Sequence, residues 1–397
     1  MCRWTVLLIW SVGCGFTAQP VSGTSDSGGK PSMDSGASAT VDAAFDAMLA
    51  ASPDAPACVP GFLDLCAQAP PTINLDVSTG QALNTDSDPR CRTFPQPGGS
   101  AVCLIYVSNA SIAAAGSLTV TGSRPLAIAS TSTITIAGTL DVGSRGTQVG
   151  PAADSTACMF AAIPELDPGG AGGGAGGTFT LAGGDGGQGD DDDSRGQDGK
   201  ALPGRHGTSA TITVLRGGCR GQAGGDESTD VGAGNGGSGG HSGGALYLVA
   251  RQSITIPGTI RATGARGEGG QTQSGGGGGG SGGLVVIEAP TITVAGQISA
   301  NGGGGGQGGG RVGTTDFTGQ PGTDGALGAT PATGGFGANN NDVRFSTGGA
   351  GGAGTTGATA GTVSIVGGGG GGGAAGVIKL LGTPTLGGST ISPPPSP

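Results

Sequence analysis

The sequence predicts an all-β protein: a parallel β-helix, or solenoid, with long Gly-rich insertions, preceded by a signal peptide and a disordered tether. Three observations predict it. The strings RPLAIASTSTITIAGTLDV (124–142), GALYLVARQSITIPGTIRA (244–262) and GGLVVIEAPTITVAGQISA (282–300) superpose without a gap, which marks an internal repeat. Within each string polar and apolar residues alternate, the pattern of a strand with one buried side. Finally, 93 of the 397 residues are Gly, while only 11% are charged and 3% aromatic, a composition far from that of a conventional compact enzyme.

Residues 1–13 read as a signal peptide: Arg3, an apolar run from Trp4 to Trp10, then small residues. The string Ser11, Val12, Gly13, Cys14 resembles the bacterial lipobox, whose cleavage leaves an N-terminal Cys that carries lipid. That resemblance implies lipidation at Cys14 and attachment to a membrane; the lipobox prefers Leu where Ser11 stands, and the alternative is plain secretion with cleavage at a site such as Gly23. Residues 14–57 are rich in Ser, Gly, Asp and Pro and read as a solvated tether.

Setting aside Cys2 and Cys14 leaves Cys58, Cys66, Cys91, Cys103, Cys158 and Cys219, an even number that suggests disulfides in an exported chain. Spacing favours the local pairs Cys58–Cys66, Cys91–Cys103 and Cys158–Cys219, so residues 58–103 are expected to form a Cys-closed cap. There is no CxxC pair to suggest zinc.

The repeat region spans 104–392, with copies near 111–142, 244–264, 282–302 and 376–392. Equivalent positions are Leu126, Leu246 and Leu284; Ile134, Ile254 and Ile292; Ile136, Ile256 and Val294; Gly138, Gly258 and Gly296; and Leu140, Ile260 and Ile298. A related string from Ser111 lies 22 residues before its counterpart, with Gly116 matching Gly138, a spacing that suits one coil. In the terminal copy Ile378, Leu380, Leu386 and Ile391 take these places after a one-residue adjustment. Stacked coils would hide the aliphatic columns and pair their backbones.

Between copies lie Gly-rich insertions at 143–243, 265–281 and 303–376, and a Pro-rich tail closes the chain at 393–397. Gly brings no side chain to bury and loses much backbone entropy on folding, so the runs are expected to form no packed core and to project from the solenoid as a Gly-rich layer. The fragments Thr178–Leu181, Thr211–Leu215 and Thr362–Val366 are strand-like and are expected to form partial coils.

From Ser111 onward the chain resembles Gly-rich secreted or lipid-anchored β-repeat surface proteins of Gram-negative bacteria, in which SITI-G-TI-A-G units alternate with Gly runs. The resemblance implies an extracellular β-solenoid and brings no uniform activity. On composition alone the chain is also similar to PE-PGRS proteins, although no PE-type helical domain precedes its repeats.

Chemistry is sparse. Asp190, Asp191, Asp192, Asp193 and Asp198 form the densest charge and the one weak Ca²⁺ candidate, but their spacing fits neither an EF-hand loop nor a calcium roll. A solvated acidic loop is the plainer reading. His206 and His241 lie among glycines and read as exposed loop residues, with nothing to mark Ser242 as a nucleophile. No catalytic residue, metal site or cofactor is expected.

A β-helix polysaccharide lyase or hydrolase would need converging carboxylates; the copies offer Asp141, Arg251, Arg261 and Glu288, at non-equivalent positions. Outward pairs Thr133 and Thr135, Ser253 and Thr255, and Thr291 and Thr293 would stack into a hydroxyl ladder similar to the TxT arrays of solenoid ice-binding proteins, which implies ice or crystalline polysaccharide as a ligand. With a net charge of −10 and 17 scattered Lys and Arg residues, the chain has no stripe for nucleic acid. The leading expectation is a non-catalytic structural or adhesive protein. It would be exported to the outer membrane surface or beyond and present its Gly-rich face to extracellular matrix, carbohydrate or cell-surface components.

Overall fold

The computed structural model of the chain describes residue 63 and residues 71–190, 200–209, 211–227, 235–312, 315–337 and 345–396. The signal, the tether, Cys14, Cys58 and Cys66 lie outside them. All regular structure among the described residues is β.

In chain order the strands are β1 (Leu75–Val77), β2 (Gly80–Asn84), β3 (Arg92–Phe94), β4 (Val102–Val107), β5 (Ala110–Ile112), β6 (Ser117–Thr121), β7 (Leu126–Ser130), β8 (Thr133–Ile136) and β9 (Thr139–Asp141). They continue with β10 (Ala245–Ala250), β11 (Ser253–Ile256), β12 (Thr259–Arg261), β13 (Leu284–Val294), β14 (Gln297–Ser299), β15 (Gly310–Val312), β16 (Thr315–Phe317), β17 (Val377–Leu386) and β18 (Thr390–Ser392). Apart from the antiparallel pairs β3–β4 and β15–β16, they join in parallel into a curled sheet system with three ladders. The first runs β4, β7, β10, β13, β17; the second β1, β5, β8, β11, β13, β17; the third β2, β6, β9, β12, β14, β18. Strands β13 and β17 each serve the first two ladders.

Alternation decides which side is buried. Ile134, Ile254 and Ile292 are register partners and fully buried, as are Leu140, Ile260 and Ile298. Each such side chain contributes roughly 1.5–3 kcal/mol through burial. The glycines at the bend stack as well: a Cβ on Gly258 would fall on the carbonyl oxygen of Gly138, and one on Gly296 on that of Gly258.

The third copy departs from the gapless alignment. Strand β10 pairs Leu246 with Val285, not Leu284, while Ser253 still pairs Thr291. The corner after the first strand is one residue shorter here, and a one-residue slip reverses facing. Val285 and Ile287 therefore join the inner core, and Leu284 and Val286 turn to the other side.

That other side of the first ladder is also buried, so strands β4, β7 and β10 have no exposed residue. Phe179 and Leu215, from the 143–243 insertion, pack with Tyr247, Leu104 and Val286 there. The fragments Thr178–Leu181 and Thr211–Leu215 thus form no strand; they are the cover of the ladder. Thr362–Val366 forms no strand either.

The expectation that the Gly runs form no packed core is wrong. Glycines throughout 274–283, 301–310 and 367–376 are buried, and their amides donate to other segments of the chain. Donors recur every third residue: Gly368, Gly371 and Ala374 bond to Ala171, Gly174 and Gly177, and Gly276 and Gly279 bond to Gly368 and Gly371. Three residues per turn without internal bonds is the period of polyproline II. Segment 366–376 exchanges such bonds with six neighbours, 169–177, 183–190, 274–283, 301–310, 346–353 and 358–362. Segments this close leave no room for a Cβ where they touch; one on Gly370 would fall on the carbonyl oxygen of Gly277. Peripheral segments keep Gly on the inner side and turn other residues outward, as Asp185, Gln188, Ser238 and His241 do.

Two comparisons test these cores. Ile254→Asp puts a carboxylate among aliphatics and should cost several kcal/mol, while Thr255→Asp, one residue away on the open side, should cost a few tenths; thermal unfolding of both variants checks the facing. Gly370→Ala should destabilise by about 1–3 kcal/mol or more, whereas Gly357→Ala, where an added Cβ meets nothing within 4 Å, should be neutral or slightly stabilising. Chemical denaturation reads the difference.

Candidate functional site

The most regular surface is the open side of the second ladder. Parallel pairing places Thr133, Ser253, Thr291 and Thr383 in one column and Ser111, Thr135, Thr255, Thr293 and Thr385 in the next. Column neighbours are separated by the strand spacing of ~4.8 Å, and the columns by two residues of strand rise, ~6.6 Å. Around the Gly bend a third column follows: Ser117, Thr139, Thr259, Gln297 and Thr390. These side chains are partly or fully exposed. Thr383 and Thr385 extend the array beyond the three expected pairs; the signal for them is the TPT string in the terminal copy.

The charged residues of the copies divide between ladders. Asp141 and Arg261 are register partners on the third ladder, so their positions are equivalent, contrary to the sequence reading. Arg145 Nη2 lies 2.5 Å from Asp141 Oδ2, and Gly143 N donates to Oδ1 at 3.0 Å. Burial pulls the Arg261 guanidinium below its ordinary pKa, opposed by the charge of Asp141. Glu288 belongs to the first ladder, where it accepts a 2.7 Å bond from Tyr247 Oη. Asp190 is buried and its amide donates to Val366 O at 3.1 Å. Asp191, Asp192, Asp193 and Asp198 lie outside the described residues.

Both histidines are partly buried and paired, not free in loops. His206 Nδ1 is 2.7 Å from Asp185 Oδ1, and His241 Nδ1 is 2.5 Å from Asp154 Oδ2. The other Asp154 oxygen accepts from Ser242 N at 2.9 Å, and Asp154 N donates to Ser242 Oγ at 2.7 Å. Ser242 is fully buried, so this hydroxyl holds a loop in place. Cys91–Cys103 and Cys158–Cys219 are disulfides, as spacing suggests.

Beside Asp154 lies a cavity of about 520 Å³. Its walls are the turn at 98–100, Ser123 and Pro125, the loop 152–157 and the covering segment 211–216. Several ties fix them. Gln96 bonds both the amide and the carbonyl of Leu215, at 2.6 and 3.0 Å. Cys158–Cys219 anchors the loop 152–157, in which Ala152 and Asp154 adopt positive φ, 53° and 57°. Such left-handed residues are costly and persist where surroundings impose them. Arg216 lines the cavity with its guanidinium 4.9 Å from the ring centre of Phe179. No sequence signal marks Arg216 or Asp154, because their partners come from distant segments.

Comparison with protein-family models, curated proteins and solved structures finds no match to this chain.

Cys158 and Cys219 are 61 residues apart. Loop-closure entropy for that span gives about 4 kcal/mol. Replacing both by Ser should lower stability by up to that amount and expose the loop to proteolysis; denaturation and limited digestion check it.

Proposed function

We propose that the chain is a non-catalytic structural and adhesive protein of the cell exterior, built as a β-solenoid and binding repetitive carbohydrate through its hydroxyl face. The observation that carries this reading is the stacked array of Thr and Ser on a rigid two-sided frame. Side chains held at fixed spacing in two dimensions bind an ordered polymer with little further ordering cost. The glycines of the bundle are turned inward, so the adhesive face in this reading is the hydroxyl one, not the Gly-rich one. Two disulfides support an oxidising, exported setting, with Cys14 as the lipid anchor to the outer membrane surface. The same two-dimensional spacing favours a second reading, an ordered lattice of ice as ligand.

Thr255 lies in the middle of the array. Thr255→Lys should leave the unfolding midpoint nearly unchanged and reduce cosedimentation with insoluble crystalline cellulose or chitin at least about tenfold. Unchanged sedimentation overturns the carbohydrate reading, and ice recrystallisation inhibition by the native chain alone favours the second.

A further inference from the structure

The cavity beside Asp154 belongs to neither the hydroxyl face nor the strand columns. Its most unusual member is Arg216. This residue is partly buried, its guanidinium donates to Gly217 O at 3.2 Å and stacks on Phe179, and no carboxylate pairs with it among the described residues. A cation withdrawn from water without a counter-charge is under-solvated, and an anion that reaches it recovers that loss. Burial accordingly draws its pKa below the ordinary value, with no opposing carboxylate.

Other lining groups narrow the anion. Thr156, Thr211 and Thr213 line the cavity, are exposed, and hold their hydroxyls free of bonds to described residues. Asp154 also lines it, but both of its oxygens are already engaged with Ser242 and His241. One cation with several neutral hydroxyl partners suits a ligand carrying a single negative charge and many hydroxyls. A phosphate would call for more positive charge. Guanidinium geometry matches a planar carboxylate in a two-bonded fork. The volume lies within the range of small-ligand sites, and the fixed walls leave little to order on binding.

We propose that this cavity is a binding site for a uronic acid residue of an acidic glycan, with Arg216 holding the carboxylate and the threonines meeting the ring hydroxyls. The site is separate from the hydroxyl face and does not depend on that reading.

Calorimetric titration of the full chain with α-1,4-linked trigalacturonate tests it, beside the neutral galactose trimer and inorganic sulfate. Saturable binding of the acidic trimer is expected, with the neutral trimer weaker by about tenfold or more, the usual weight of a charge-assisted bond. Arg216→Gln should lose a similar factor, Arg216→Lys should lose less, and Thr255→Lys should bind as the native chain does. Equal binding of acidic and neutral trimers, or native affinity in Arg216→Gln, overturns the proposal. Sulfate that displaces the trimer at equal concentration shows a bare anion site and overturns the sugar assignment. Should Arg216→Gln lower the unfolding midpoint, Ala157→Trp at the exposed rim decides instead: blocked binding supports the site, and retained binding sinks it.

Discussion

The rest of the structure depends on backbone approaching backbone where a Cβ would otherwise stand. At Gly258 and Gly296 the requirement is local, one bend stacked on the next. In the bundle it is collective. Segments 274–283, 301–310 and 366–376 are each enclosed by hydrogen-bonded neighbours, and a Cβ at most of their glycines, Gly276, Gly305 and Gly370 among them, would fall on a carbonyl oxygen. Ordering so many glycines is expensive, about 1–2 kcal/mol of backbone entropy per residue, and no apolar side chain offsets it. What offsets it is completeness: amides and carbonyls find partners at each turn of three, and close contact adds dispersion that looser loops forgo.

The two cores are made of different material and were unequally legible. Aliphatic columns announce themselves through alternation, so Ile134, Ile254, Ile292 and the bend glycines were placed correctly from spacing alone. Rules that count large apolar side chains are blind to a core made mostly of Gly, with a few Ala such as Ala171, Ala175 and Ala374. The readable sign is inverse: non-Gly residues recur every third position at the bundle rim, as Asp185 and Gln188 do, and become sparse in the enclosed segments, where runs such as 275–280, 302–306 and 367–373 are Gly alone. The one-residue corner that turns Leu284 outward was also hidden, because Leu284 and Val285 suit the column equally in composition. Both disulfides in view followed from spacing. The hydroxyl array was partly legible and the cavity not at all, since it forms only when residues 98–100, 152–157 and 211–216 meet.

The frame of the hydroxyl face gains from this pairing of cores. The first ladder is packed on both sides, inward by Leu246 and Leu248 and outward by Tyr247 under Phe179 and Leu215. Strands β13 and β17 run on into the second ladder, so covering the first also stiffens the strands that carry Thr291, Thr293, Thr383 and Thr385. The Gly-rich insertion is therefore part of the support of the face and not an excursion from it.

The seam between the two cores brings together groups of different chemistry from distant parts of the chain. Inside the bundle most positions are Gly and have no side chain to vary, and along the ladders the inner columns repeat aliphatic residues because stacking selects them. Where insertion meets ladder neither rule applies, and there Gln96, Asp154, Arg216 and His241 gather with partners from far along the chain. In the reading proposed here the fold separates two tasks: repetition supplies the extended surface for a repetitive ligand, and the seam supplies the discrete set of groups for a discrete one. The guanidinium of Arg216, with no carboxylate paired to it among the described residues, stands in that seam against the ring of Phe179.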